Sequence, residues 1–206
     1  MITVVITSCG RWDKLKKTFD SFMKFNTLPV KEVIIIEDSG SLDGFPVKGH
    51  TLIFNGRNIG QVESIDRAYH FVKTPYIFHI ENDWEFYREG FMEKSLTILE
   101  NNPKIMQVWL RDRGDVNNHP IDDEVFTSCG VDYSLVSINA HGGVWHGFTW
   151  NPGLRRLSDY KLIAPFIQYK QEKDFNALAE CRVGQKFHEL GFRAAILMDG
   201  YVKHIV

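Results

Sequence analysis

The sequence lacks most of the features that mark whole classes of protein. It has three cysteines in 206 residues, Cys9, Cys129 and Cys181, odd in number, far apart and without a CxxC pair. That pattern reads as reduced thiols rather than a disulfide framework, and nothing nominates a base for a catalytic cysteine. No stretch approaches the roughly 20 apolar residues of a membrane span. The opening MITVVITSCGRWDK is no signal peptide: its apolar run is about six residues, no basic segment precedes it, and a charged helical pattern follows. These absences together predict a cytoplasmic protein. An excess of one charge is also missing, with 24 Lys and Arg against 26 Asp and Glu. The balance removes any global argument for nucleic acid or an acidic membrane as partner. There is no repeat, no low-complexity tract and no Pro/Gly/Ser linker. Residues 7–13 contain only Gly10, so the GxGxxG of dinucleotide-dependent oxidoreductases is absent.

What remains is an ordinary globular composition, 44% hydrophobic and 24% charged, in a chain long enough for one domain and too short for two. Residues 2–7 form an apolar, β-branched run that reads as a strand buried on both faces. Trp12, Leu15, Phe19, Phe22 and Met23 recur behind it at helical spacing, and Pro29 stops that helix. Further strands are predicted at 33–36, 52–54, 76–80 and 105–110, with helices over 59–72 and 91–101. This order implies an α/β fold with a mostly parallel central sheet flanked by helices. Beyond residue 112 the pattern loosens. Residues 112–123 read as a loop, 132–139 and 144–150 as strands around Gly142-Gly143, 172–190 as a helix ended by Gly191, and 192–198 and 201–204 as late strands.

In open parallel sheets, ligands bind beyond the carboxyl ends of the strands. The four segments found there are polar: Thr7-Ser8-Cys9-Gly10-Arg11, Glu37-Asp38-Ser39-Gly40-Ser41, Asn55-Gly56-Arg57-Asn58-Ile59-Gly60 and Glu81-Asn82-Asp83. Each alone is compatible with turn or cap chemistry. Glu81 and Asp83 can face one side of an extended segment, and hard cations such as Mg²⁺ or Mn²⁺ favour carboxylates shared with substrate phosphates. Asp38 can accept a hydrogen bond from a uracil imide. Arg57, Asn58 and Gly60 stand where a helix begins, a position that favours phosphate.

In order and spacing, roughly 30, 20 and 23 residues apart, these segments resemble the GT-A fold glycosyltransferases, most closely those of the family-2 type. The likeness continues through Glu172-Lys173-Asp174-Phe175, a helix, Gly191-Phe192-Arg193 and the terminal Val202-Lys203-His204. It implies a single GT-A domain over residues 1–206, with a nucleotide-binding half to about residue 112 and an acceptor-binding half from about 113. It further implies that Thr7, Ser8, Arg11, Asp38, Arg57, Asn58, Gly60, Arg67, Glu81 and Asn82 hold the nucleotide. Asp83 and His204 would carry Mn²⁺ or Mg²⁺, and Gly142, Gly143, Trp145 and Trp150, with His146 among them, would line the sugar and acceptor. The implied reaction is metal-dependent transfer from a nucleotide sugar, with UDP favoured, to an acceptor hydroxyl with inversion.

There are departures from the family pattern. The first acid of the DxD-type motif is Glu81 and its centre, Asn82, is neutral. The acids before the late helix, Glu172 and Asp174, are two apart, so either can be the base, with Asp174 the first choice. Relatives often continue past the terminal histidine with a tail that covers the donor, whereas this sequence ends two residues after His204. Two other readings stay open: a sugar-nucleotide-binding module without turnover, and a sugar-phosphate nucleotidylyltransferase, although the Gly-rich first loop with a following Lys is missing. The acceptor is not named by the sequence; a glycan, lipid-linked sugar, protein, small molecule or modified nucleobase all fit.

Overall fold

A computed structural model describes residues 1–139, 141–171 and 176–206. The chain runs through β1 (Ile2–Ser8), α1 (Trp12–Phe25), β2 (Glu32–Glu37), β3 (Thr51–Phe54), α2 (Gln61–Phe71), β4 (Tyr76–Glu81), β5 (Trp84–Phe86) and α3 (Phe91–Asn101). It continues through β6 (Ile105–Trp109), β7 (Ile121–Ser128), β8 (Val131–Val136), β9 (Gly153–Arg156), α4 (Leu157–Ile163), a 3-10 helix (Phe166–Tyr169), α5 (Asn176–Glu189), β10 (Arg193–Leu197) and β11 (Val202–His204). Five strands form the main sheet in the order β3-β2-β1-β4-β9, parallel except for β9. A second sheet has the order β6-β10-β8-β7, and β5 pairs with β11.

Every residue of β1 is buried. Its alternate side chains enter opposite cores, as the two-residue repeat of a strand requires. Val5 joins Ile34, Ile36 and Ile77 under α2 and α5, while Ile2, Val4 and Ile6 join Ile35, Phe78 and Ile80 under α1 and α3. The continuous apolar run therefore signals a central strand covered on both faces.

Several expectations need correction. The strand at 105–110 is β6, and it pairs with β10 rather than joining the main sheet. The place beside β4 belongs to β9, a four-residue antiparallel strand that the sequence reading missed along with β5, β7 and α4. Residues 112–123 are a loop only to Ile121, where β7 begins. Residues 144–150 are turns and irregular backbone, not a strand. The reason is backbone geometry: Gly142, Gly143 and Gly147 have φ of 74°, 80° and 85°. At Gly147 a Cβ would lie 2.9 Å from Ala194 Cβ, so the segment packs closely on β10 where a strand with side chains could not.

The second half is fastened to the first by Asp66 of α2. Its carboxylate accepts hydrogen bonds from the Phe166 and Ile167 N–H groups at 2.8 and 2.7 Å and from the Tyr160 hydroxyl at 2.8 Å. Burial raises its pKa, and these three bonds oppose the shift. Removing the carboxylate leaves two backbone donors unpaired. Asp66→Ala is therefore expected to lower stability by about 2–4 kcal/mol. Urea unfolding checks this; a change below about 0.5 kcal/mol, the range of ordinary surface substitutions, contradicts it.

Candidate active site

The register of the main sheet brings the polar segments to one edge. Thr7 stands beside Glu81, and Ser8 beside Glu37. Beyond them opens a cleft of about 400 Å³ lined by Thr7, Ser8, Cys9, Arg11, Asp38, Asn58, Gly60, Gln61, Ser64, Glu81 and Lys170. Six of the expected nucleotide residues thus share it with Glu81. Arg57 and Arg67 do not line it. Arg67 instead donates to Asn55 Oδ1 at 2.7 Å, and Asn55 Nδ2 donates to Asp38 Oδ1 at 2.8 Å.

Asp38 has structural work as well. Oδ1 also accepts the Ile59 N–H and Oδ2 the Gly60 N–H, each at 2.8 Å. The carboxylate therefore caps the entrance to α2 from the loop after β2, and the helix begins at Gln61 with Gly60 as its N-cap. A carboxylate offers about four acceptor sites, so three bonds leave room for roughly one more. Asn58 donates to Cys9 Sγ at 3.4 Å, joining the first and third loops.

The acidic motif divides its work. Glu81 accepts from Gln61 Nε2 at 2.6 Å and from Trp84 Nε1 at 3.2 Å. Burial, then the charge of Asp83, raise its pKa. Asn82 donates to Ser8 Oγ at 3.2 Å and accepts from Arg11 Nη2 at 2.5 Å. Arg11 Nη1 donates to Asp83 Oδ2 at 2.8 Å. β11 returns the end of the chain to this point: His204 pairs with Trp84 in register, and Ile205 N–H donates to Asp83 O at 2.7 Å. His204 Nε2 then lies 3.5 Å from Asp83 Oδ2.

The second cleft, about 500 Å³, is bounded by Glu81, Asp83, Trp84, Arg111, Asp115, Asn117, Asn151, Lys203, His204 and Val206. Glu81 forms the shared wall of the two. This carboxylate oxygen and imidazole nitrogen stand wider than adjacent donors on an octahedral ion, which at about 2.1 Å from it sit about 3.0 Å apart, so a small side-chain rotation would bring both onto one hard divalent ion. Among the described residues no group of three or more His, Cys, Asp or Glu could hold a metal. Remaining ligands would have to come from a phosphate and water, which is how Mg²⁺ commonly binds.

The expected acceptor residues separate. Gly142 and Gly143 are exposed and line neither cleft. Trp150 is 2% exposed and packs edge-on against Phe148 and Phe166, so its faces belong to the core. Trp145 is 5% exposed, stacked on His119 at 4.0 Å. His146 is buried and stacks on His188. Glu172 and Asp174 lie outside the described residues.

The model of the family described as glycosyl transferase family 2 matches residues 3–163. The chain belongs to that family. No curated protein sequence matches it. A mannosyltransferase from Pyrobaculum calidifontis, solved with GDP-Man and Mn²⁺, is similar in structure with a TM-score of 0.66 and 13% identity over 95% of this chain and 56% of that one. Residues 1–349 of S. aureus TarS give a TM-score of 0.67 at 14% identity over 99% and 60% of the two chains. TarS in complex with UDP gives 0.64 at 15% identity over 100% and 61%. The chain thus spans 56–61% of the length of these solved chains, and at such identities the likeness establishes the GT-A fold.

In this family-2 fold one further acid stands out that the sequence reading passed over. Glu180 of α5 accepts from the Trp150 N–H at 2.5 Å and from the Thr149 hydroxyl at 3.0 Å. Its pKa is pushed up to about 7, chiefly by burial and further by the charge of Glu81, against those hydrogen bonds and Arg155. The signal was present but weak: Glu180 adjoins Ala179 on a helix whose buried stripe is Ala179, Val183 and Phe187. Arg111, Gln61, Ser64 and Lys170 were missed because each is an isolated polar residue near the end or start of an element.

Between pH 4.5, the ordinary carboxylate value, and about 7, the folded chain holds a Glu180 proton that the unfolded chain has released. Stability contributed by that proton is full below the window and is lost as pH rises through it. Glu180→Gln should therefore show a melting temperature that falls less than wild type's across this window. Parallel curves for the two proteins contradict the assignment.

Proposed function

We propose that the chain moves a glycosyl group from a nucleoside-diphosphate sugar, with UDP favoured, to an acceptor hydroxyl, with a divalent ion and with inversion. The observation that carries this reading is the shared wall of the two clefts, where the loops after β1, β2 and β4 meet the returning β11. The nucleoside belongs in the first cleft, with Asp38 offering its remaining acceptor site to the base and Thr7, Ser8, Asn58 and Gly60 around it. The diphosphate runs from the start of α2 to the junction near Arg11, Asp83 and His204. Bound there, Mn²⁺ or Mg²⁺ would withdraw charge from the diphosphate as it departs. Relatives of this fold carry the corresponding ligands: GDP-Man and Mn²⁺ in one solved structure and UDP in another.

Arg11 has a defined part in this scheme. Its guanidinium is paired with Asp83. On donor entry it is placed to turn to phosphate, which it can hold with two parallel N–H donors. At the anomeric carbon, the acceptor oxygen forms its bond as the bond to the phosphate oxygen breaks, and the electron pair leaves on the diphosphate. The acceptor proton passes to a carboxylate on the opposite side of the sugar. Asp174 is the first choice for that base and Glu172 the second; Glu180, of pKa about 7, is a further candidate that lines a separate small cavity with His119, Trp145 and Cys181 rather than either cleft. The acceptor-binding half extends from about residue 113.

Chelation should abolish transfer, and Asp83→Asn should remove the ability of Mn²⁺ to strengthen UDP binding in calorimetry. Asp174→Asn should lower kcat by about 10²–10⁴-fold with donor affinity nearly unchanged. Glu172→Gln and Glu180→Gln tested beside it decide between the candidates, since only the true base gives the large kcat loss. NMR of the product should show inverted anomeric configuration. Full turnover in excess chelator, or retained configuration, contradicts the mechanism.

A further inference from the structure

The first cleft contains one cation that the sequence pattern did not anticipate, Lys170. It follows the 3-10 helix in the second half of the chain yet lines a cleft built from the first. Its position is set by the main chain. Asp66 ties the Phe166 and Ile167 N–H groups to α2, and the Lys170 N–H donates to Ile167 O at 3.0 Å. Its ammonium lies over Gly60, where a Cβ would sit 3.2 Å from Nζ, and Gly60 has φ of 96°. A side chain at residue 60 would be strained and would crowd the ammonium.

Lys170 makes no ion pair or hydrogen bond among the described residues. The acids facing this cleft hold neutral donors and not Lys170: Asp38 bonds Asn55, Ile59 and Gly60, and Glu81 bonds Gln61 and Trp84. The other cation of the cleft, Arg11, is paired with Asp83. The start of α2 beside Lys170 has the same sign of field, which Asp38 answers only in part, through the Ile59 and Gly60 N–H groups. A half-buried ammonium above a helix start makes the space between them favourable for an anion.

We propose that Lys170 contacts a phosphate of the bound nucleotide, so that a residue of the second half reads the charge of the ligand held by the first. The inference rests on the nucleotide-sugar reading above. It makes Lys170 a specificity-determining residue for phosphorylated over unphosphorylated nucleoside. It also makes nucleotide binding tie the chain just before Glu172 and Asp174 to the start of α2.

Calorimetry with uridine, UMP and UDP, and with the guanine series in parallel, tests this on the intact chain. Wild type should bind the diphosphate of the preferred base more tightly than the monophosphate, and that more tightly than the nucleoside. Lys170→Met should weaken the diphosphate about tenfold and leave the nucleoside unchanged. Lys170→Arg should restore most of the loss. An equal loss for nucleoside and diphosphate would show Lys170 to be a packing residue and overturn the proposal, as would an unchanged diphosphate affinity. If wild type binds none of these compounds, the nucleotide-sugar reading itself falls and takes this inference with it.

Discussion

The parallel pairing of β1 between β2 and β4 is the constraint on which the rest of the molecule depends. Because β1 is buried on both faces, its register is set by two cores at once, and a one-residue slip would turn Val5 out of one core and Val4 and Ile6 out of the other. That register puts Thr7 beside Glu81 and Ser8 beside Glu37. The loops that follow begin at the same level, and their polar residues have only one direction in which to find water or ligand. The site is thus a consequence of sheet packing rather than an addition to it.

Charge at this edge is arranged so that almost every group has a partner from a different loop. Asp38 serves the third loop and α2, Asn82 serves Ser8, and Arg11 serves Asn82 and Asp83. Such cross-loop bonds hold the loops in place without a ligand, and pre-organisation of this kind lowers the cost of binding. They also create competition. In the proposed scheme a ligand phosphate that takes Arg11 would leave Asp83 needing another cation, and a divalent ion beside His204 would meet that need. The Arg11–Asp83 pair and the proposed metal are therefore alternative solutions to one charge.

Much of this was legible in the sequence, for definable reasons. The strands β1, β2 and β4 are continuous apolar runs, and the segments after them are short, so order alone predicts convergence. His204 was legible only through its family context; its approach to Asp83 depends on the β5–β11 pairing, and β5 is three residues long. The acceptor half was harder. Residues 144–150 resemble a strand because irregular backbone with positive-φ glycines can bury a dense set of aromatics, Trp145, Phe148 and Trp150, too. Asp38 looked like a ligand residue, and the hydrogen bonds that make it also a helix cap come from backbone 21 and 22 residues away. Glu180 and Lys170 owe their surroundings to long-range packing of α5 and the 3-10 helix on α2, which no local pattern encodes.

In the proposed scheme the two clefts form one metal-assisted nucleotide-sugar site. Thermal shift with a panel of UDP-, GDP-, ADP- and dTDP-sugars, each with and without Mn²⁺, measures it, because a ligand that binds only the folded chain raises the melting temperature. The account predicts a rise for one base class, UDP first, that is larger when Mn²⁺ is present. Melting temperatures that stay unchanged with every nucleotide sugar at millimolar concentration, in the presence of Mn²⁺, would contradict it.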